Sequence, residues 1–352
     1  MATATNPRGK PLIQLGVVVA NTRLCDEHYR LTFRLSDMPQ AEPGQFVHLC
    51  PCDGSIAVRE SDERSARAGS DARPDSFLLP MLRRAFSIAG LRGEGGGACV
   101  DVIFRVVGKA TRWMESLRQG EVLSVMGPLG NRFPIPKRSR NAWLVAGGVG
   151  LPPMLWLAEA LQRAGTRATA FCGARRANLL PLTFDPTEPP IGDASRPTRS
   201  CREFALRDAG VVIATDDGSL GFHGHIGQAL ERFHVANPIE VETLIVYTCG
   251  PERMMRFVAD YCLERGIECQ VCMERAMACG TGLCQSCVVP IRDDADRDGW
   301  RYSLCCTDGP VFEASRILWE TPGNVASPLV GGAPAGAASR TRRDATKKRR
   351  ML

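Results

Sequence analysis

Cys279-Gly-Thr-Gly-Leu-Cys284-Gln-Ser-Cys287, followed eighteen positions later by Cys305-Cys306-Thr-Asp-Gly-Pro-Val-Phe, is the stretch around which the chain is organised. A binuclear iron-sulfur cluster needs four thiolates, two on each iron, and C-x4-C-x2-C with a distant fourth cysteine is the plant-type ferredoxin spacing. Three cysteines would wrap the cluster, and either Cys305 or Cys306 would close it. Gly280 and Gly282 suit such a wrap, because backbone without a Cβ curls closely around inorganic sulfides and turns its N–H groups toward them. Zinc would ask for two short C-x2-4-C pairs, and the second half offers only adjacent cysteines. Inert core thiols do not call for this spacing inside a glycine-rich loop.

Outward from that stretch, 352 residues with 44% hydrophobic and 23% charged content describe a globular chain of two or three domains. Fifteen cysteines are an odd number, no secretory signal opens the sequence, and a cluster needs free thiolates, so a reducing cytoplasmic setting without disulfides is expected. Apolar runs such as Gly16–Ala20 or Leu144–Val149 fall far short of the roughly 18 residues that span a bilayer. The formal charge of +6 is local: seven Lys or Arg and one Asp lie between Arg340 and Leu352, and removing them from 44 and 38 leaves 37 of each sign. A neutral body argues against nucleic acid as a partner. The tail carries Gly331-Gly332-Ala333-Pro334 and Lys347-Lys348-Arg349-Arg350, a composition expected to stay disordered.

Short β-branched and aromatic segments at Ile13–Ala20, Tyr29–Leu35, Gln45–Leu49, Arg84–Ala89, Cys99–Val107 and Glu121–Met126 predict six strands closing into a small antiparallel barrel, interrupted by a polar, mobile insertion at 53–78. Thr111 is expected to cap a short helix burying Trp113, Met114 and Leu117, its free N–H groups open to a phosphate. In Arg84-Ala-Phe-Ser87 the arginine offers a fork for a pyrophosphate, the aromatic a face for an isoalloxazine and the hydroxyl a bond to the flavin.

From Asn141 strands and helices alternate, which predicts a parallel sheet with helices on both faces. Gly147-Gly148-Val149-Gly150 and Cys249-Gly250-Pro251 both follow strands, where such sheets bind nucleotides. Thr183–Arg202, with four prolines, reads as a surface excursion, and His223 and His225 as residues of a helix start rather than a metal pair.

The order of these pieces resembles the ferredoxin reductase superfamily, and within it the electron-transfer subunits of dihydroorotate dehydrogenase B. The resemblance runs from about Ile13 to Trp319. It rests on Leu82–Ile88, Met126-Gly-Pro-Leu-Gly-Asn131, Gly147–Pro153, Thr215-Asp-Asp-Gly-Ser219, Met277–Val289 and Asp308-Gly-Pro-Val-Phe312. It implies an FAD-binding β-barrel at 12–137, an NAD-binding α/β domain at 141–268 and a small 2Fe-2S domain at 269–320, with the basic tail at 321–352. FAD would be held by Arg84, Ala85, Phe86 and Ser87, lined by Ile103, Phe104 and Arg105, and met on its pyrophosphate side by Gly108, Ala110 and Thr111. NAD would lie against Gly147, Gly148, Gly150, Cys249, Gly250 and Pro251. The cluster ligands would be Cys279, Cys284, Cys287 and Cys306, the last chosen because the family's ligand stands directly before x-Asp-Gly-Pro. The chain departs from the family pattern at Ala85, where Pro is frequent, and at Ala110, where Gly is common.

The implied activity is electron transfer in pyrimidine biosynthesis, from an FMN-containing, dihydroorotate-oxidising catalytic subunit to NAD. Nicotinamide exchanges hydride and an iron-sulfur centre single electrons, so a flavin must stand between them. No catalytic acid, base or nucleophile is expected in this chain. A reductase serving another redox partner is the first rival; against it, Gln270–Trp319 is short for a free-standing ferredoxin and better suited to docking on a fixed partner. A nucleotide-sensing, zinc-binding regulator is the rival of another class.

Overall fold

The structure is a computed structural model that describes residues 12–37, 40–51, 82–94, 97–136 and 141–320. The expected insertion at 53–78 and the tail at 321–352 lie outside the described residues. Six strands, β1 (Leu12–Cys25), β2 (His28–Leu35), β3 (Phe46–Pro51), β4 (Arg84–Glu94), β5 (Gly97–Arg105) and β6 (Val122–Leu129), form a closed antiparallel barrel in the order β1-β2-β5-β4-β3-β6. Alternation sends Leu31, Phe33, Val47, Leu49, Val100, Val102, Leu123 and Val125 inward, each of them at most 2% exposed. Burying each such side chain contributes roughly 1.5–3 kcal/mol.

Two strands run further than the apolar pattern predicts. β1 continues to Cys25 because Asn21, Thr22 and Arg23 pair with Leu31, Arg30 and Tyr29 across the hairpin, so ladder hydrogen bonds carry a polar stretch. β4 continues to Glu94, opposite Gly97, for the same reason. Helix α1 (Lys109–Glu115) starts earlier than expected: Gly108 is its N-cap, and Thr111 sits in the first turn with its Oγ1 reaching back.

The second layer is a seven-stranded sheet of six parallel strands with a C-terminal strand, Val311–Glu313, at one edge. β7 (Asn141–Gly147), β8 (Arg167–Ala174), β9 (Gly210–Thr215), β10 (Phe222–His223), β11 (Leu244–Cys249) and β12 (Glu268–Cys272) are parallel. Helix α2 (Leu151–Arg163) packs on one face through Met154, Leu155 and Ala158. After a single turn, α3 (Arg202–Ala205), helices α4 (Ile226–Ala236) and α5 (Glu252–Glu264) cover the other through Leu230, Phe233, Val258 and Ala259. Trp156 of α2 is buried with the barrel's own side chains, which ties the two layers together. The 183–202 segment is not a free excursion: Thr198 exchanges both backbone hydrogen bonds with Val211, and Ala194, Ser200 and Cys201 are wholly buried.

The C-terminal residues add a hairpin of β13 (Val288–Arg292) and β14 (Trp300–Leu304), then β15 (Val311–Glu313), which pairs antiparallel with β12. Asn131, just beyond β6, fastens this segment to the barrel. Its Nδ2 donates to the carbonyls of Asp308 (2.9 Å) and Val311 (2.8 Å), and its Oδ1 accepts from Val311 N–H (2.9 Å).

Candidate functional site: a cavity and an adjoining cysteine loop

A cavity of about 950 Å³ lies between the barrel and the carboxyl ends of the parallel strands, at the upper end of the range for small-molecule sites. The barrel contributes Ala85, Phe86 and Ser87 from β4, Ile103, Phe104 and Arg105 from β5, and His28 and Phe46 from the flanking strands. Phe86 meets Phe104 edge to face, with ring centres 6.2 Å apart. Thr111 also faces the cavity, its Oγ1 accepting from the N–H groups of Val107 (2.9 Å) and Gly108 (3.0 Å). From the sheet come Gly147, Gly148, Cys249 and Pro251, joined by Cys272, Met273, Glu274, Arg275 and Met277 in the stretch leading into the cysteine loop.

Of the residues singled out in the sequence, Arg84, Gly108, Ala110, Gly150 and Gly250 stand off this wall. The Arg84 guanidinium is exposed and folded onto the carbonyls of Leu82 (3.0 Å) and Arg83 (3.1 Å). Gly150 and Gly250 serve contact between the two turns: a Cβ on Gly150 would stand 2.0 Å from the Cys249 oxygen, and one on Gly250 2.8 Å from the Gly147 oxygen. The sequence reading missed His28, Phe46 and the 272–277 stretch. The last carried a signal, since strand β12 ends there and parallel sheets bind ligands at such ends.

Electrostatics on the wall are mixed. The hydrogen bond with Cys249 and burial hold the Cys272 thiol well above its ordinary value, so it stays neutral. Glu274 faces the open cavity but is crowded by protein on its other sides, which raises its carboxyl. His225, at the N-cap of α4, bonds Asp216 Oδ1 through Nδ1 (3.2 Å).

The cysteine loop begins two residues beyond Met277. Burial works against ionisation of Cys279, but hydrogen bonds from Cys284 and Thr281, whose N–H groups each reach its Sγ at 3.4 Å, bring its thiol down to about 6. A hydrogen bond with Ser286 lowers Cys284 as well. Gly280 and Gly282 both adopt left-handed backbone, φ 73° and 89°, which lets the loop curl with its N–H groups toward the sulfur.

The neighbours Cys305 and Cys306 are set apart by environment. Cys305 is wholly buried and its thiol donates to the Met273 carbonyl (3.4 Å), while burial pushes its thiol far up. Cys306 turns toward the loop: its N–H donates to Cys287 Sγ (3.3 Å), and burial together with Cys287 pushes its thiol up to about 12. A thiol bound to iron gives up that proton. Four thiols on two segments, with backbone N–H donors already aimed at two of the sulfurs, fit a binuclear cluster. Among the described residues no three His, Cys, Asp or Glu side chains gather closely enough to hold a single metal ion. No described helix is long and apolar enough to cross a membrane.

A flavin-reductase-type barrel, a nucleotide sheet and a cluster-type cysteine loop on one chain define an electron-transfer oxidoreductase. Residues 274–318 match the family model of the iron-sulfur cluster binding domain of dihydroorotate dehydrogenase B. The chain is 30% identical over 304 residues to the dihydroorotate dehydrogenase B (NAD(+)) electron transfer subunit of Desulforamulus reducens, covering 86% of this chain and 97% of that one. It is 26% identical over 305 residues to the subunit of the same name from Bacillus cereus strain 03BB102, with 86% and 97% covered. The chain belongs to this family of electron transfer subunits. Among solved structures, the NADH-dependent reduced ferredoxin-NADP oxidoreductase superposes with a TM-score of 0.65 at 23% identity, over 87% of this chain and 90% of that one. The ferredoxin reductase of carbazole 1,9a-dioxygenase gives 0.53 at 20% identity, over 74% and 68%. Both share the fold.

Proposed function

We propose that this chain is the electron-transfer subunit of an NAD-dependent dihydroorotate dehydrogenase complex, carrying FAD and a 2Fe-2S cluster between NAD and an FMN-containing, dihydroorotate-oxidising partner in the cytoplasm. The observation that carries the reading is continuity. Met273, Glu274, Arg275 and Met277 line the cavity, and Cys279 opens the cysteine loop two positions later, so one short segment of backbone serves both sites.

When bound, a flavin supplies the exchange between paired and single electrons that nicotinamide and an iron-sulfur centre cannot make directly. The chain's own residues supply position and shelter. Phe86 and Phe104 give an apolar wall and Ser87 a hydroxyl for the ring; Ala85, Ile103 and Arg105 complete that side. Arg84, whose two bonds are to exposed carbonyls next to it in sequence, is free to swing to a pyrophosphate, with Gly108, Ala110 and Thr111 at the start of α1. Gly148, where an added Cβ would meet nothing within 4 Å, leaves room for a nucleotide beside Cys249 and Pro251; Gly147 packs against Met254 and Pro251, and Gly150 and Gly250 hold the two turns together. Cys279, Cys284, Cys287 and Cys306 would hold the cluster. On this reading the work divides along 12–137, 141–268 and 269–320.

The test is reconstitution. Purified under anaerobic conditions, the chain should show flavin and iron-sulfur absorption, and NADH should bleach both. Added to a dihydroorotate-oxidising FMN subunit, it should make that subunit's activity NAD-dependent. A colourless chain, or a loaded chain that NADH does not reduce, overturns the proposal.

A further inference from the structure

His48 sits on β3 with none of its surface exposed, and neither ring nitrogen has a hydrogen-bond partner among the described residues. Burial, with the charges of Arg83 and Arg84 nearby, lowers its pKa to about 4, so the ring is neutral. A neutral imidazole carries one N–H donor and one acceptor. One buried donor is therefore left with nothing in the described chain to receive it, which proteins seldom tolerate without a reason.

The packing places that ring against the cysteine loop. Along β3, Val47 and Leu49 enter the barrel core, so the alternate residues Phe46 and His48 face outward. Phe46 there meets the His48 ring, with ring centres 5.7 Å apart, and both lie on the face away from the barrel core. The face of the His48 ring, on the side of Cε1 and the two nitrogens, lies against Gly280, the residue directly after Cys279. A Cβ built on Gly280 would stand 2.8 Å from Cε1, 2.9 Å from Nε2 and 3.2 Å from Nδ1. Only glycine at this place lets the imidazole come so near the loop. On its other side, β3 pairs with β4 so that His48 is opposite Ala85 and Val47 opposite Phe86, two residues of the cavity wall.

We propose that His48 is a positioning residue for the iron-sulfur centre, donating its ring N–H to one of that centre's sulfurs, either an inorganic sulfide or a ligand thiolate. The proposal rests on the reading of Cys279, Cys284, Cys287 and Cys306 as the cluster site. Reduction adds negative charge to the sulfurs, so a donor there stabilises the reduced form more than the oxidised one and raises the potential. His48 would thereby help set how readily an electron passes across β3.

The experiment uses the full chain, loaded with its cluster and reduced anaerobically, with all five histidines carrying 15N. Pulsed electron paramagnetic resonance should show a weak coupling from a histidine nitrogen. That coupling should vanish in His48→Phe, which keeps a ring against Phe46 but has no N–H. The cluster's midpoint potential should fall in His48→Phe and recover in part in His48→Gln, which restores a donor. No histidine coupling in the labelled wild-type protein overturns the proposal, as does an unchanged potential in a fully loaded His48→Phe. A coupling strong enough for direct ligation overturns it too, because His48 would then be a ligand. If His48→Phe does not load, the label on the wild-type chain decides by itself. Iron and acid-labile sulfide distinguish the two levels: their absence from the wild-type chain sinks the cluster reading, while a loaded cluster without the coupling sinks only the role of His48.

Discussion

The cavity and the cysteine loop adjoin each other but are specified in opposite ways. The cavity draws on residues from His28 to Pro310, carried by barrel strands and by the ends of parallel strands that meet only when the whole chain is folded. The loop draws on two short segments, 279–287 and 305–306, that lie between strands and contain almost no regular structure. Its order comes from left-handed glycines and from N–H groups turned onto cysteine sulfur. A thiolate wrap is thus written in local spacing, whereas a cavity is written in topology. Damage to one should therefore spread to the other only through the few contacts that join them.

The largest expected effect sets the loop against itself. Cys306→Ser should lose the cluster, measured as iron and acid-labile sulfide, while FAD and its reduction by NADH persist because the cavity draws nothing from Cys306. Cys305→Ser should keep the cluster, since that thiol points away to the Met273 carbonyl. Cluster loss in Cys305→Ser with an intact Cys306→Ser would overturn the assignment of the fourth ligand.

Next comes the staple between the regions. Asn131→Ala leaves two carbonyls and one N–H of the 308–311 segment unpaired, a loss of roughly 2–3 kcal/mol at about 1 kcal/mol per bond. We expect a lower thermal midpoint, together with faster cluster loss on warming. A variant whose cluster and flavin are released at unchanged temperatures would show that Asn131 joins nothing that matters.

These contrasts explain what the sequence disclosed. The six barrel strands and the parallel sheet were legible because alternation and strand-helix order are period signals, as in Leu31, Phe33 and Leu35. In the candidate site, the cysteine spacing was legible for the same local reason, but the choice of Cys306 over Cys305 came only from resemblance. The glycines of 147–150 and 249–251 stood out by composition, yet nothing local tells that Gly148 faces the cavity while Gly150 meets the Cys249 oxygen. His48 was invisible: it reads as one more residue in a strand until Gly280, 232 positions away, is folded against it.

A smaller effect is expected at Arg84, which tests whether the exposed arginine belongs to the cavity at all. Charge-assisted bonds to a pyrophosphate make Arg84→Ala weaken FAD by roughly ten- to a hundredfold, with cluster content unchanged. Arg83→Ala is the control, because its guanidinium is held by the Ser124 hydroxyl at 2.8 Å and carbonyl at 3.3 Å. Equal FAD affinity in wild type and Arg84→Ala, measured by fluorescence on dilution, would remove Arg84 from the site.

The smallest effect belongs to Thr111, and it separates architecture from binding within the cavity itself. Its Oγ1 accepts from Val107 and Gly108 and donates to the Gly108 carbonyl at 3.1 Å, so it organises the first turn of α1. Thr111→Val keeps the branched shape but removes these bonds, and loss of a cap of this kind costs about 1 kcal/mol. Thr111→Ser keeps the hydroxyl and should stay near wild type. If the start of α1 receives a phosphate, FAD affinity should fall a few-fold in Thr111→Val and recover in Thr111→Ser, with the cluster untouched in both. A drop in thermal midpoint with no change in FAD affinity would instead make α1 a structural helix that happens to border the cavity. The flavin's phosphates would then rest on Arg84 alone among the two candidates, and the cavity would depend on the barrel strand more than on the helix.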